Sequence, residues 1–371
     1  MTKVFLDPRP KPKQSILDIK AYVPGSHYLE SFDAPIVLSA NETPLGPSPK
    51  AKAAFVSSSE NLGRYPDGSC QILKRAIADV HGLNPSRVVC GAGSDEILSL
   101  IAQSYLSEND EAIYTEHGFL LYKIVILAAG ATPVAAKESY FTASIENILA
   151  CVTNRTKVVF LANPNNPTGT FVSIEDVCKL RQSLPEDVLL VLDAAYAEYV
   201  HRNDYEAGIQ LAATTSNTVM TRTFSKIYGL AALRLGWAYC SAEIADVLNR
   251  VRGPFNVSAP AIAAGSAAIA DFEHLERARQ HNDTWLVWLT NEISKLGIEV
   301  TNSVGNFVLI HFSESSNSAV KVDAFLKANG IICRRAEGYG LAGSLRITIG
   351  TEKENRLLIE TLSRFTSSNG K

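Results

Sequence analysis

Lys226 stands in Thr-Phe-Ser-Lys-Ile-Tyr-Gly-Leu-Ala-Ala-Leu-Arg, residues 223–234, directly after an apolar run, with hydroxyls at Thr223 and Ser225 and a cation at Arg234. A lysine taken alone is most often a solvated surface group. Placed among hydroxyls and an arginine, it can act as a nucleophilic amine beside an anion site. Asp193 closes Val-Leu-Leu-Val-Leu-Asp, 188–193. A carboxylate at the C-terminal end of a buried parallel strand stands where α/β sheets place ligands; its competing role is to cap a following helix. Asn-Pro-Asn-Asn-Pro-Thr-Gly, 163–169, follows another apolar run as a stiff turn from which Asn166 can present an amide. Gly-Ala-Gly-Ser-Asp-Glu-Ile-Leu, 91–98, reads as a glycine turn opening a helix, so backbone N–H groups at Ser94 and Asp95 can hold one phosphate. A dinucleotide fingerprint fails there, because its third glycine position is Glu96.

These groups need a scaffold that brings them to one edge. Apolar runs at 87–90, 111–115, 157–162, 188–192, 219–223 and 236–240 alternate with segments of helical period. That pattern predicts an α/β fold whose large domain has a mostly parallel central sheet flanked by helices. The runs at 157–162 and 188–192 are apolar on both faces and read as central strands. Pro8, Pro10, Pro12, Pro24 and Pro35 mark an N-terminal arm over 1–45, ahead of a large domain over 46–251. Arg-Gly-Pro-Phe at 252–255 interrupts the chain and opens a smaller α+β C-terminal domain, 252–371. Within it the spacing predicts helices over 271–295 and 319–329, strands over 306–312 and 344–349, and a frayed tail.

Composition removes several function classes. With 35 Lys plus Arg against 38 Asp plus Glu, the net charge of -3 gives no bulk attraction to nucleic acid or an anionic membrane. The greasiest stretch, 119–136, carries Lys123 and breaks at Gly130, short of the roughly 18 apolar residues of a spanning helix. Charges and prolines occupy the N-terminus where a secretory signal would be apolar, so a cytoplasmic location is expected. The six cysteines form no CxxC pair, and His274 and His281 stand about two helical turns apart, roughly 10 Å; no metal site is expected.

An amine for an imine, an acid for a ring nitrogen, a donor for a ring oxygen and a phosphate cup are together what a pyridoxal phosphate enzyme requires. The chain resembles the fold-type-I pyridoxal-phosphate-dependent aminotransferases, and within them the histidinol-phosphate aminotransferase group. The resemblance runs from Ile-Lys-Ala-Tyr-Val-Pro-Gly (19–25) through Asn-Glu-Thr-Pro-Leu-Gly-Pro-Ser (41–48), Arg-Tyr-Pro-Asp (64–67), the glycine turn and the Asn-Pro loop. It continues through Asp-Ala-Ala-Tyr (193–196) and the lysine segment to Leu-Arg-Ile-Thr-Ile-Gly-Thr (345–351).

The resemblance implies roles for particular residues. Lys226 would bind the cofactor covalently and then carry a proton at the substrate's Cα, with Asp193 keeping the pyridine nitrogen protonated. Asn166 and Tyr196 would hydrogen-bond the ring oxygen, and Phe119 would stack on the ring. Ser94, Asp95, Thr223, Ser225 and Arg234 would surround the phosphate, and Tyr65 would reach the phosphate held by a neighbouring subunit, making the enzyme a homodimer with shared sites. Tyr22, Asn41, Asn306, Arg334 and Arg346 would form the substrate wall, the arginines gripping an anionic tail. The expected reaction moves an amino group between histidinol phosphate and 2-oxoglutarate, in histidine biosynthesis. The rivals are an aromatic amino-acid aminotransferase, a threonine-phosphate decarboxylase of cobalamin synthesis and, more distantly, a ligand-sensing module of the same fold. Two stretches depart from the group's pattern: Glu116-His117-Gly118, where proline is common, and Phe255, where some members carry tyrosine.

Overall fold

The computed structural model describes residues 10–312 and 316–369; residues 1–9 of the expected arm and the last two of the tail lie outside that range. Seven strands build the large sheet: β1 (Val88–Gly91), β2 (Glu111–Thr115), β3 (Thr132–Ala136), β4 (Thr156–Ala162), β5 (Leu189–Asp193), β6 (Thr218–Thr223) and β7 (Gly236–Tyr239). Their spatial order is β1-β7-β6-β5-β4-β2-β3. Strand β7 runs antiparallel to both its neighbours, and all other pairs are parallel.

The strands at the centre are apolar because both faces are covered. On one side Leu73, Ile77 and Ile262 pack with Phe224 and Trp237; on the other Ile97, Ile101, Tyr122 and Leu248 pack with Phe160 and Val191. The register places Ala162 opposite Asp193 and Asp193 opposite Thr221. The loops after β4, β5 and β6 therefore leave the sheet side by side, where a parallel sheet binds its ligands.

A second sheet of four antiparallel strands contains β8 (Glu299–Thr301), β9 (Phe307–His311), β10 (Arg334–Arg335) and β11 (Ser344–Thr348), in the order β8-β9-β11-β10. The helices Phe272–Lys295 and Glu352–Asn369 cover it, with Leu289, Ile293, Leu358 and Leu362 meeting Val308, Ile310 and Ile347 in one core. The large mostly parallel sheet and the smaller antiparallel unit are those expected from the sequence. No helix among the described residues is long and apolar enough to cross a membrane.

Two details differ from the sequence reading. The greasy stretch 119–136 breaks at Gly130, φ +94°, as expected, but the part after the helix Leu121–Ala129 is an edge strand that was not expected, β3, which tolerates Pro133 because an edge needs no further donor. Strands β8 and β10 went unseen because two or three residues carry no readable period.

The expected divisions at 45 and 252 also meet different packing. Ile36–Val37 pairs in parallel with Ile331–Ile332, and Leu38 lies in the small unit's core. Beyond 252, Val257, Ala261, Ile262 and Ala268 lie in the large unit's core. We propose that residues 36–38 belong to the small unit and that the chain changes unit within the helix Phe272–Lys295.

Candidate active site

A cavity of ≈ 260 Å³ lies at the C-terminal edge of the large sheet, between it and the small unit. Lys226, Asp193, Asn166, Tyr196, Arg334 and Arg346 all line it. Lys226 reaches it from the turn after β6, and its Nζ donates to the Ala40 carbonyl at 3.1 Å. Burial, reinforced by the Arg346 charge, brings its pKa down to about 8, against the pull of Asp95 and Glu42. A tenth of the amine is thus neutral near pH 7, far more than for a solvated lysine.

Asp193 ends β5 with its carboxylate buried. Burial pushes its pKa up to about 6, opposed by hydrogen bonds from the Tyr122 hydroxyl at 2.8 Å and the Thr221 hydroxyl at 3.2 Å. The helix-cap role is not what the fold provides: only the short turn Ala197–Tyr199 follows, capped at Tyr196. Two hydroxyls fix the carboxylate's orientation while leaving acceptor capacity for a third donor.

The opposite end is built for an anion. Helix Ser94–Tyr105 opens here, and its N-cap, Gly93, offers no side chain to its first N–H groups. Gly93 has φ +85°, and a Cβ there would stand 2.6 Å from a guanidinium nitrogen of Arg234. A Cβ on Gly236 would stand 2.3 Å from the Ser94 nitrogen, so glycine is required for this close approach. Arg234 donates to the Ser225 hydroxyl at 3.2 Å and pairs with Asp95 at 3.1 Å. Ser94, Thr223 and Ser225 contribute hydroxyls to the same wall. Glu96, which rules out a pyrophosphate loop, instead accepts from the Ala92 N–H at 2.6 Å and from Asn256 at 2.7 Å, pinning the glycine turn.

Facing the sheet, Arg334 and Arg346 sit directly opposite each other across β10 and β11. Like charges in that position oppose pairing. Arg346 donates to the Asn166 side-chain oxygen and the Ser39 carbonyl, both at 2.5 Å, and its buried Nε has no partner among the described residues. Arg334 donates to the Val23 carbonyl at 2.8 Å and lies over the Tyr22 ring. Among the described residues neither arginine meets a carboxylate. A cationic pair without a counter-ion favours an anionic ligand.

The cavity gathers most of the expected residues, including Tyr22 and Phe119, which meets Tyr122 edge to face. Three expected residues stand elsewhere. Asn41 does not line the cavity: it is buried at φ +55°, donates to the Tyr196 hydroxyl at 2.8 Å and exchanges hydrogen bonds with Thr348. Asn306 is also behind the wall, donating to the Asn41 carbonyl at 2.9 Å. Asn41 holds the Tyr196 hydroxyl and Asn306 holds the Asn41 backbone, so both amides act on the site from behind. Tyr65 is 82% exposed and stacks on Phe255 with ring centres 4.6 Å apart, outside the cavity of its own chain. Tyr122 and Tyr339 escaped sequence reading. The signal for Tyr122 was a hydroxyl in a helix otherwise apolar on its buried face, which must find a partner.

The class I and II aminotransferase family model matches residues 34–362. A histidinol-phosphate aminotransferase of Rhodopseudomonas palustris strain TIE-1 is 53% identical over 359 residues, covering 96% of this chain and 98% of that protein. The crystal structure of histidinol-phosphate aminotransferase from Sinorhizobium meliloti in complex with pyridoxal-5'-phosphate is similar with a TM-score of 0.86 at 27% identity, covering 90% of this chain and 91% of that one. Aspartate aminotransferase from Thermus thermophilus with maleate shares the fold, with a TM-score of 0.79 at 21% identity over 89% of this chain and 91% of that one. The architecture is fold type I, and with the family model spanning both sheets and the cavity between them, the chain belongs to the class I and II aminotransferases.

Proposed function

We propose that this enzyme is a pyridoxal-phosphate-dependent histidinol-phosphate aminotransferase, using 2-oxoglutarate as the partner substrate, in histidine biosynthesis. That biosynthetic role is the ground for a cytoplasmic location. The observation that carries the substrate reading is the Arg334–Arg346 pair, in register and without a carboxylate partner among the described residues. A phosphomonoester brings nearly two negative charges and three acceptor oxygens, which suits two convergent guanidiniums better than one carboxylate does. The two carboxylates of 2-oxoglutarate make similar demands, so one pocket serves both half-reactions.

The residues present fit the cofactor's two ends. The glycine cradle at Gly93 and Gly236, with the hydroxyls and Arg234, suits its phosphate, and Asp193 suits its ring nitrogen. When bound, pyridoxal phosphate supplies an aldehyde that condenses with amines and a ring that draws electrons from the substrate's Cα–H bond. Lys226 holds the cofactor and, once its amine is freed, takes and returns the proton at Cα. Asp193 keeps a negative charge against the ring nitrogen, held in place by Tyr122 and Thr221. Burial pushes the Tyr196 phenol up, so it stays a neutral donor, and Asn41 fixes its position. Arg346 orients Asn166 while presenting its free edge to the substrate.

The test is kcat/KM with histidinol phosphate, phenylalanine and aspartate against 2-oxoglutarate. Histidinol phosphate should exceed the others by on the order of 10²-fold, and Arg334→Leu should remove on the order of 10²–10³ of that rate. Arg334 is the cleaner variant, because Arg346 also holds Asn166. A wild type that prefers phenylalanine would be an aromatic aminotransferase instead.

We infer that a second copy of the chain completes each site through Tyr65. Its support is that exposed ring, together with Phe55, Val56, Leu62, Ile72 and Phe255, which are also exposed. Reassorting an impaired Lys226→Ala chain with an impaired Tyr65→Ala chain should restore up to about a quarter of wild-type activity, since hybrids have one intact site. Hybrids as impaired as their parents would place each site within one subunit.

A further inference from the structure

His117 lies in the stretch that departs from the group's sequence pattern, and the chemistry so far leaves it unused. It follows β2 and reaches across to the small unit, where its ring Nδ1 stands 2.7 Å from the Tyr339 carbonyl oxygen. A carbonyl only accepts, so Nδ1 carries the hydrogen. The backbone on both sides of His117 is anchored: its N–H donates to Glu138 at 3.2 Å, and its carbonyl accepts from Asn165 at 3.4 Å. Three residues on, Leu120 packs with Leu309, Ala336, Tyr339 and Leu341. His117 and Leu120 together grip the turn 336–341.

That turn is the connection between β10 and β11, the two strands that present Arg334 and Arg346. Tyr339 is 4% exposed and lines the cavity with both arginines. Burial pushes its phenol up, with Arg346, Tyr22, Arg334 and Asn166 acting on it at close range. It is a neutral hydroxyl among cations, able to donate to an anion that the arginines attract.

We propose that Tyr339 is a specificity-determining residue for the substrate's anionic tail and that His117 is its positioning residue, fixing the turn between the two arginine-bearing strands through the Nδ1–carbonyl hydrogen bond. The proposal rests on the phosphate-bearing donor assigned above. A short backbone bond across the two units sets where the turn sits over the cavity, so its loss loosens tail binding without touching the groups that move the proton.

The test compares His117→Leu, which lacks a donor, with His117→Asn, whose amide can donate, by kcat and KM for histidinol phosphate and by the inhibition constant of inorganic phosphate. His117→Leu should raise both KM and the inhibition constant about tenfold, the worth of one hydrogen bond to a fixed partner, with kcat within about twofold. His117→Asn should recover most of that loss. Tyr339→Phe, which only removes a hydroxyl, should raise the phosphate inhibition constant similarly and carries the test if the leucine variant does not fold. Unchanged constants in His117→Leu or Tyr339→Phe, a fall in kcat at constant KM, or an asparagine variant no better than leucine would overturn it. A wild type that does not use histidinol phosphate overturns the donor assignment instead, and phosphate inhibition then still reads the effect of His117.

Discussion

Lys226→Ala is expected to lower turnover by on the order of 10⁵-fold or more while leaving the protein folded, because no other group in the cavity supplies an amine. Among the described residues the Lys226 side chain makes one hydrogen bond, to the Ala40 carbonyl, and its backbone carbonyl keeps the bond from Gly229, so truncation removes little of what holds the turn. The same amine sets a pH dependence. Only the neutral form can attack, and burial has brought its pKa to about 8. Covalent capture of added pyridoxal phosphate by the cofactor-free protein should therefore rise about tenfold per pH unit below that value and level off above it. A stopped-flow record of the absorbance change across pH 6–9.5 checks this sign; a rate that is flat, or that falls as pH rises, would show that the reacting amine is not Lys226.

Asp193→Asn should lower kcat by ~10³-fold, with the fold retained. The argument is electrostatic. The carboxylate is ionised above a pKa of about 6, and a positively charged ring nitrogen beside it draws that value lower, so it is charged throughout the neutral range. Asparagine keeps the shape, its amide oxygen accepting from one of the Tyr122 and Thr221 hydroxyls and its NH2 donating to the other, but it is neutral and cannot hold a proton on the ring. A cap role would predict a small effect, since Asn caps a helix about as well as Asp. Steady-state kinetics with circular dichroism as a fold control distinguishes the two: near-wild-type turnover removes Asp193 from the chemistry.

The residues that the fold gathers at the sheet edge were legible because they follow the strongest patterns in the chain. Strands β4 and β5 are nearly unbroken apolar runs that mark the centre of the sheet, and the parallel register of β4, β5 and β6 puts whatever follows them at one edge. Asn166, Asp193, Thr223, Ser225 and Lys226 could be placed from that alone. Asn41 and Asn306 could not. They lie 265 positions apart and meet behind Tyr196, and whether an amide faces a cavity or a neighbouring hydroxyl depends on how two distant loops pack. Tyr122 was hidden for the opposite reason, since the helix Leu121–Ala129 is so apolar that its hydroxyl passed as core. His117 stood out only as a departure from a pattern; its partner, a backbone carbonyl 222 residues away, leaves no trace in side-chain spacing.

The most direct measurement is borohydride reduction of the cofactor-loaded enzyme, followed by tryptic mapping. Trypsin cuts after Arg222 and Arg234 but not at a modified lysine, so the label should appear on the peptide spanning residues 223–234, at Lys226. A label on any other lysine, or no label on a yellow, active enzyme, would contradict the assignment of Lys226 as the residue that carries pyridoxal phosphate.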